Sequence, residues 1–166
     1  MNKTPNILIA GVGNELRQDD AFGIELCRQL TNIALPAHVK IMEFGIGGIH
    51  MVQELYNAYE ILIILDAVSW GGKPGEIYFK EMEVGDIKEW STEKQRVFLA
   101  DMHYTNPTRA LMLAKALNIL PLKVLILGCE AEAHEDFAIG LSDTVKNSIP
   151  IALNKIKEWL NIETPH

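Results

Sequence analysis

The sequence predicts an α/β domain: a mostly parallel, twisted sheet of about five strands with helices on both faces, forming three α-β-α layers. Three observations carry this. The runs Ile7–Val12, Ile61–Leu65 and Val124–Leu127 are continuously apolar, as expected of strands buried on both faces. Amphipathic helical stretches alternate with them, and such alternation builds parallel sheets through crossover connections. The 166 residues contain no repeat, low-complexity tract or linker, so residues 1–166 are expected to fold as one domain around one core.

The elements follow in order. After the first strand, Phe22, Ile24, Leu26, Cys27 and Leu30 share one side of a helix predicted over Asp20–Leu30. Val39–Phe44 is the second strand, ending in Gly45-Ile46-Gly47-Gly48, and a helix from Ile49 to about Tyr59 presents Met51, Val52, Leu55 and Tyr56. The third strand, Ile61–Leu65, is expected to stop at Asp66. Ser69–Gly75 is rich in Gly and Pro and reads as a turn. Glu76–Lys80 then alternates like a half-exposed edge strand. Residues 81–105 show no clear period. Pro107 suits the first turn of a helix through Leu117. Val124–Gly128 is the last central strand. Ser142 then caps a helix reaching about Leu160, with a break or restart expected near Pro150.

Composition narrows the function. A net charge of −7 argues against a nucleic-acid partner, whose phosphates need clustered Lys and Arg. No apolar run is long enough for a membrane span, and the first residues lack a signal-peptide pattern. Cys27 and Cys129 form no C-x-x-C pair, which fits a reducing compartment without a disulfide framework. A cytoplasmic protein is expected.

The chemistry concentrates after the first strand, in Gly11-Val-Gly-Asn-Glu-Leu-Arg-Gln-Asp-Asp-Ala-Phe-Gly23. A dinucleotide fingerprint would place a third glycine where Leu16 stands, so no nucleotide cofactor is expected. Of the two acids, Asp19 suits a helix N-cap, where its carboxylate would accept a backbone N–H. Two adjacent acids exceed what a cap needs, which leaves Asp20 as a candidate ligand or acid. Asp66 ends an apolar run at a strand tip, where carboxylates line the ligand crevice of such sheets. Its burial without a partner would cost several kcal/mol or force protonation. His103, ahead of the Pro107 helix, would complete a carboxylate-carboxylate-imidazole set. That set suits a first-row divalent metal with open positions, or equally the acid, base and orienting groups of a hydrolase. The other histidines, including His50 and His134, are weaker candidates. Neither G-x-S-x-G nor H-E-x-x-H occurs.

These residues resemble the hydrogenase maturation endopeptidases, which process the large-subunit precursor of nickel-iron hydrogenases. The stretch Gly11–Gly23 is similar to that family's G-x-G-N-x-L-x-x-D-[DE]-x-x-G signature. Asp66-Ala-Val, His103 ahead of a helix and Gly140-Leu-Ser142 extend the likeness along nearly the whole chain. The resemblance implies that Asp20, Asp66 and His103 are the metal-contacting and catalytic set. It implies removal of a C-terminal extension once nickel has entered the precursor, the nickel belonging to the substrate. It also implies that the loop holding Gly45, Gly47 and Gly48 recognises the precursor. There the family's D-G-G-T-x-G is replaced by Glu43-Phe-Gly-Ile-Gly-Gly48. A non-catalytic metal sensor or chaperone for the metallated precursor is the alternative, and a nucleotide-binding regulatory domain a third reading.

Overall fold

The computed structural model describes residues 3–100, 106–132 and 137–162. Among the described residues, five strands form one sheet: β1 (Ile7–Val12), β2 (Val39–Gly45), β3 (Ile61–Val68), β4 (Ile77–Glu81) and β5 (Lys123–Glu130), in the order β2-β1-β3-β5-β4. All neighbours are parallel except β4, which pairs antiparallel with β5 at the edge. Among the described residues, five α-helices cover the sheet: α1 (Phe22–Thr31), α2 (Gly48–Leu55), α3 (Thr92–Ala100), α4 (Pro107–Ala116) and α5 (Asp143–Trp159). The expected mostly parallel α/β fold is the observed one.

Period-two alternation divides the core between the two faces. Leu8, Ala10, Leu62 and Ile64 pack with Met51 and Leu55 of α2 and Ala110 and Leu111 of α4. Ile7, Ile9, Ile63 and Leu65 pack on the opposite face with Phe22 and Leu26 of α1 and Val145, Ile149 and Ile156 of α5. Cys27 and Cys129 are buried and unpaired in this second layer. Burial, with a smaller push from the negative charges nearby, raises both thiols to about 11, so neither is a nucleophile at neutral pH.

Four sequence expectations need correction. The first helix begins at Phe22, preceded by a 3-10 turn over Gln18–Ala21 that holds both acids. The third strand does not stop at Asp66, because Ala67 and Val68 go on pairing with Cys129 and Glu130 of an equally long β5. Ladder pairing outweighs the poor strand propensity of Asp. The second helix ends at Leu55, short of Tyr59. Finally, α5 runs unbroken through Pro150. The stretch from 81 to 100 resolves into a 3-10 turn at Ile87–Glu89, capped by the Asp86 carboxylate accepting from Lys88 N, and α3.

One feature of the topology places the site. From β1 the chain moves outward to β2 and then crosses to β3 on the other side of β1. The connections therefore diverge above the carboxyl ends of β1 and β3, opening the crevice where ligands bind in such sheets.

Candidate active site

Asp20 is delivered to this crevice by the loop after β1, and Asp66 by β3 itself. Two glycines make the approach possible. Gly13 has φ +137°, and a Cβ there would lie 1.9 Å from the carbonyl oxygen of Asp20. The space beside Gly13 is thus filled by the chain's own returning backbone, where a phosphate cradle would be open. Gly23 sets the first turn of α1 against the strand tips: a Cβ would meet the Leu65 carbonyl oxygen at 2.0 Å and that of Val12 at 2.4 Å. With both glycines in place, the 3-10 turn packs on β3 and the Asp20 carboxylate accepts a hydrogen bond from Asn14 N at 3.1 Å.

Asp66 stands opposite Gly128 of β5, and alternation puts it on the α2–α4 side with Leu62 and Ile64. Both carboxyls are half-buried. Burial first, then the negative charge of Asp20, raises Asp66 to about 8, against a smaller opposing effect of the Ala67 N–H. At neutral pH this carboxyl holds a proton.

His103 lies outside the described residues, as does His134. On either side of the His103 segment, α3 ends at Ala100 and α4 begins at Pro107, with Asn106 Oδ1 accepting from Arg109 N at the cap. α4 packs on the Asp66 face of the sheet. Among the described residues, no three His, Cys, Asp or Glu side chains gather as a metal site.

Gly45 has φ +55° and follows a β-bulge, where Gly11 pairs with Glu43 but Val12 with Gly45. Its carbonyl accepts from Gly13 N at 3.0 Å, tying the glycine loop to the Asp20 loop. Gly45 also lines a cavity of about 280 Å³ with Gly13, Asn14, Leu16 and Ile46. Gly47 precedes α2, and Gly48 is its buried first residue. Neither lines that cavity.

Asp19 has a structural role, but not the expected one of helix cap. It is fully buried, and its carboxylate accepts from Glu132 N (2.9 Å), Ser142 N (2.7 Å) and Ser142 Oγ (2.9 Å). The Ser142 hydroxyl in turn caps α5 by accepting from Val145 N. Asp19 therefore clamps the end of β5 and the start of α5 to the turn that carries Asp20.

Two further groups escaped the sequence. Glu130, buried at the end of β5, accepts from Trp70 N and Gly71 N at 3.1 Å each and from the Tyr78 hydroxyl. Burial favours its neutral form, but these donors outweigh that and hold it below the usual carboxylate range. It thereby pins the loop after β3. An acid ending an apolar strand was the available signal, the same one that marked Asp66. Arg28 of α1 donates to both oxygens of Glu43 (2.9 and 3.2 Å) and also bonds Glu15, strapping the loop after β1 to the end of β2. No signal in the sequence pairs these three.

Comparison with known proteins identifies the family. A sequence model of a family described as hydrogenase maturation protease matches residues 24–159. The hydrogenase expression/formation protein HoxM of Azotobacter vinelandii is 33% identical over 158 residues, covering 94% of this chain and 72% of HoxM. The hydrogenase maturating endopeptidase HybD from E. coli superposes with a TM-score of 0.73 at 27% identity, covering 94% of this chain and 92% of its own. The [NiFe] hydrogenase maturation protease HybD from Thermococcus kodakarensis gives a TM-score of 0.67 at 25% identity, covering 93% and 99%. With a family match over most of the chain, a relative above 30% identity and the same fold in solved endopeptidases, the chain belongs to the hydrogenase maturation protease family and is a peptidase.

Proposed function

We propose that this peptidase removes the C-terminal extension of a nickel-iron hydrogenase large-subunit precursor after nickel insertion, with Asp20, Asp66 and His103 engaging the nickel that the substrate carries. The observation that carries this reading is the carboxyl pair at the topological switch point, with a proton retained on Asp66 through its burial first and the charge of Asp20 second. A pair of oxygen donors with one displaceable proton suits a first-row divalent cation, and an imidazole would add a borderline donor.

The roles follow from that chemistry. Without the loaded substrate, Asp66 stays protonated. On docking of metallated precursor, the Asp66 proton leaves and both carboxylates face the substrate's nickel. Asn14 N keeps the Asp20 carboxylate oriented through its Oδ2. Gly45, Gly47 and Gly48 belong to the loop assigned to precursor recognition, with Gly45 nearest the Asp20 loop. A Lewis acid borne by the substrate makes cleavage conditional on metallation. The protein acts in the cytoplasm in this reading, since nickel insertion precedes cleavage; among the described residues no helix is long and apolar enough to cross a membrane.

The test is a gel-shift assay of purified protein on nickel-loaded and nickel-free precursor. The loaded form is cut, the nickel-free form is not, and Asp20→Asn and Asp66→Asn each abolish cutting. Equal cutting of both precursors would sink the gating. Binding without cutting would sink the proposed reaction.

A further inference from the structure

The sheet ends in two edge strands, and they differ in how they are guarded. At the β2 edge, Ile7 N donates to His38 O, so the even-numbered residues face β1 and Val39, Ile41 and Glu43 face outward. Val39 N already donates to Pro36 O at 2.9 Å, Glu43 is strapped by Arg28, and Lys40 is paired with Glu54. The β4 edge has no such cover. Met82 N donates to Val124 O at 2.8 Å and Glu130 N to Glu76 O at 2.9 Å, which turns the even-numbered residues toward β5. The N–H and C=O groups of Ile77, Phe79 and Glu81 therefore point away from the sheet, and among the described residues no strand lies beyond them. Lysine commonly guards such an edge. Here the Lys80 ammonium is drawn back over the Trp70 ring, 4.1 Å from its centroid. A row of unpaired backbone groups is a template for another strand.

We infer that β4 is a self-association edge, pairing antiparallel with β4 of a second copy of this chain about a two-fold axis at Phe79. The occupant is chosen on register. A two-fold axis perpendicular to the sheet keeps each residue on its own face, so only residues of equal parity can stand opposite. Centring on Phe79 uses every outward group of the strand. Phe79 meets Phe79, and Ile77 meets Glu81 in both directions, with two backbone bonds for each pair. The side chains agree. On the α2–α4 face, Lys80 stands opposite Tyr78 of the second copy, with Glu76 of that copy on the diagonal, within reach of a long side chain. On the α1–α5 face, Phe79, edge-to-face with Trp159 at 6.2 Å, meets its equivalent. Moving the axis to Lys80 would set two ammonium groups against each other. Moving it to Tyr78 would leave Glu81 without a strand residue opposite. A strand of unrelated sequence would find the backbone groups but not these cross-strand pairs. Asp66, on β3, lies two strands from the axis, and the inference does not rest on the cleavage reading.

The test is sedimentation velocity of the whole protein from about 1 µM to about 1 mM, with amide hydrogen exchange followed by NMR at both ends of the range. The mass should rise from 18.6 kDa toward twice that value. The Ile77, Phe79 and Glu81 amides should slow with concentration, while those of Tyr78 and Lys80, already bonded to β5, stay as they were. Glu81→Pro removes an outward donor without touching the β5 ladder and should weaken association at least ten-fold, about 1.4 kcal/mol. Lys80→Glu, at an exposed position, should do the same, and this variant decides the matter if Glu81→Pro fails to fold. Lys40→Glu makes the same change of net charge at the β2 edge and should leave association within two-fold. A single 18.6 kDa species throughout, which leaves the β4 edge to solvent or to a strand of another protein, overturns the proposal. So does a dimer whose slowed amides lie outside β4, indifference to both β4 substitutions, or an equal loss with Lys40→Glu.

Discussion

Replacing Asp66 by Asn should make the protein more stable and inactive, and the stability gain should depend on pH in a defined direction. The Asp66 carboxyl is raised from an ordinary 3.8 to about 8 in the folded protein. A group whose folded pKa lies above its unfolded value contributes stability that is fully present below the unfolded pKa and lost as pH rises toward the folded one. The window is therefore about pH 4 to 8. Each pH unit across it costs about 1.4 kcal/mol, giving a ceiling near 4 kcal/mol at neutral pH. Asp66 is only half-buried and water can relax around it, so a realistic loss is about 1–3 kcal/mol. Asparagine has almost the same shape, can still accept from Ala67 N, and does not titrate. The variant should melt about 3–10 °C above the parent at pH 7.5, using about 2–4 °C per kcal/mol for a chain of this size. At pH 4.5 the two should nearly coincide. Thermal melts in chelator-containing buffers across this range, followed by circular dichroism, measure the difference. If the variant is no more stable at pH 8, or the gap does not widen between pH 5 and 8, Asp66 is not the strained acid described above.

Other perturbations separate the remaining roles. Asp20→Asn removes the like charge facing Asp66, so the Asp66 midpoint, followed by carboxyl NMR, should fall while staying above the ordinary range, because burial is the larger cause. An unchanged midpoint would mean that the two acids do not interact. Asp19→Ala leaves Glu132 N and both Ser142 donors without their carboxylate, and should cost at least about 3 kcal/mol in urea unfolding. Asp20→Ala should cost less than about 1.5 kcal/mol, since among the described residues its carboxylate accepts one hydrogen bond, from Asn14 N; equal costs would contradict the division between them. Gly23→Ala drives a methyl into the Leu65 and Val12 carbonyls and should abolish soluble expression or cost more than about 3 kcal/mol. Gly71→Ala, at φ +82° in open space, should cost about 1 kcal/mol, and soluble yields with melting temperatures compare the two.

Much of this protein was legible in its residues. The apolar runs at Ile7, Ile61 and Val124 set the strands, because a segment buried on both faces has no room for polar side chains. The helical stripes around Leu26 and Leu111 set the covering layers, and Glu76–Lys80 showed its edge position through alternation. The sequence also singled out Asp20 and Asp66, since a carboxylate at the tip of an apolar strand is too costly to be idle, and the signature around them indicated the family. Where β3 ends was not legible, because backbone pairing with β5 carries the strand past a residue of poor strand propensity. The uninterrupted α5 through Pro150 was likewise decided by packing against the sheet.

What only the tertiary structure decided are the relations between distant residues. Asp19 and Asp20 are neighbours of identical chemistry, yet one is sealed against Ser142, 123 positions away, and the other turns toward the crevice. The protonation of Asp66 depends first on its burial and then on the approach of Asp20, and that approach depends on Gly13 and Gly23 admitting backbone where any other side chain would collide. The strap from Arg28 to Glu15 and Glu43 joins three segments that no local pattern links. Composition and periodicity report the environment each residue needs, because burial is a property of single side chains. They are silent on which groups meet, because that is set by how the connections after β1, β2 and β5 fold over the same end of the sheet.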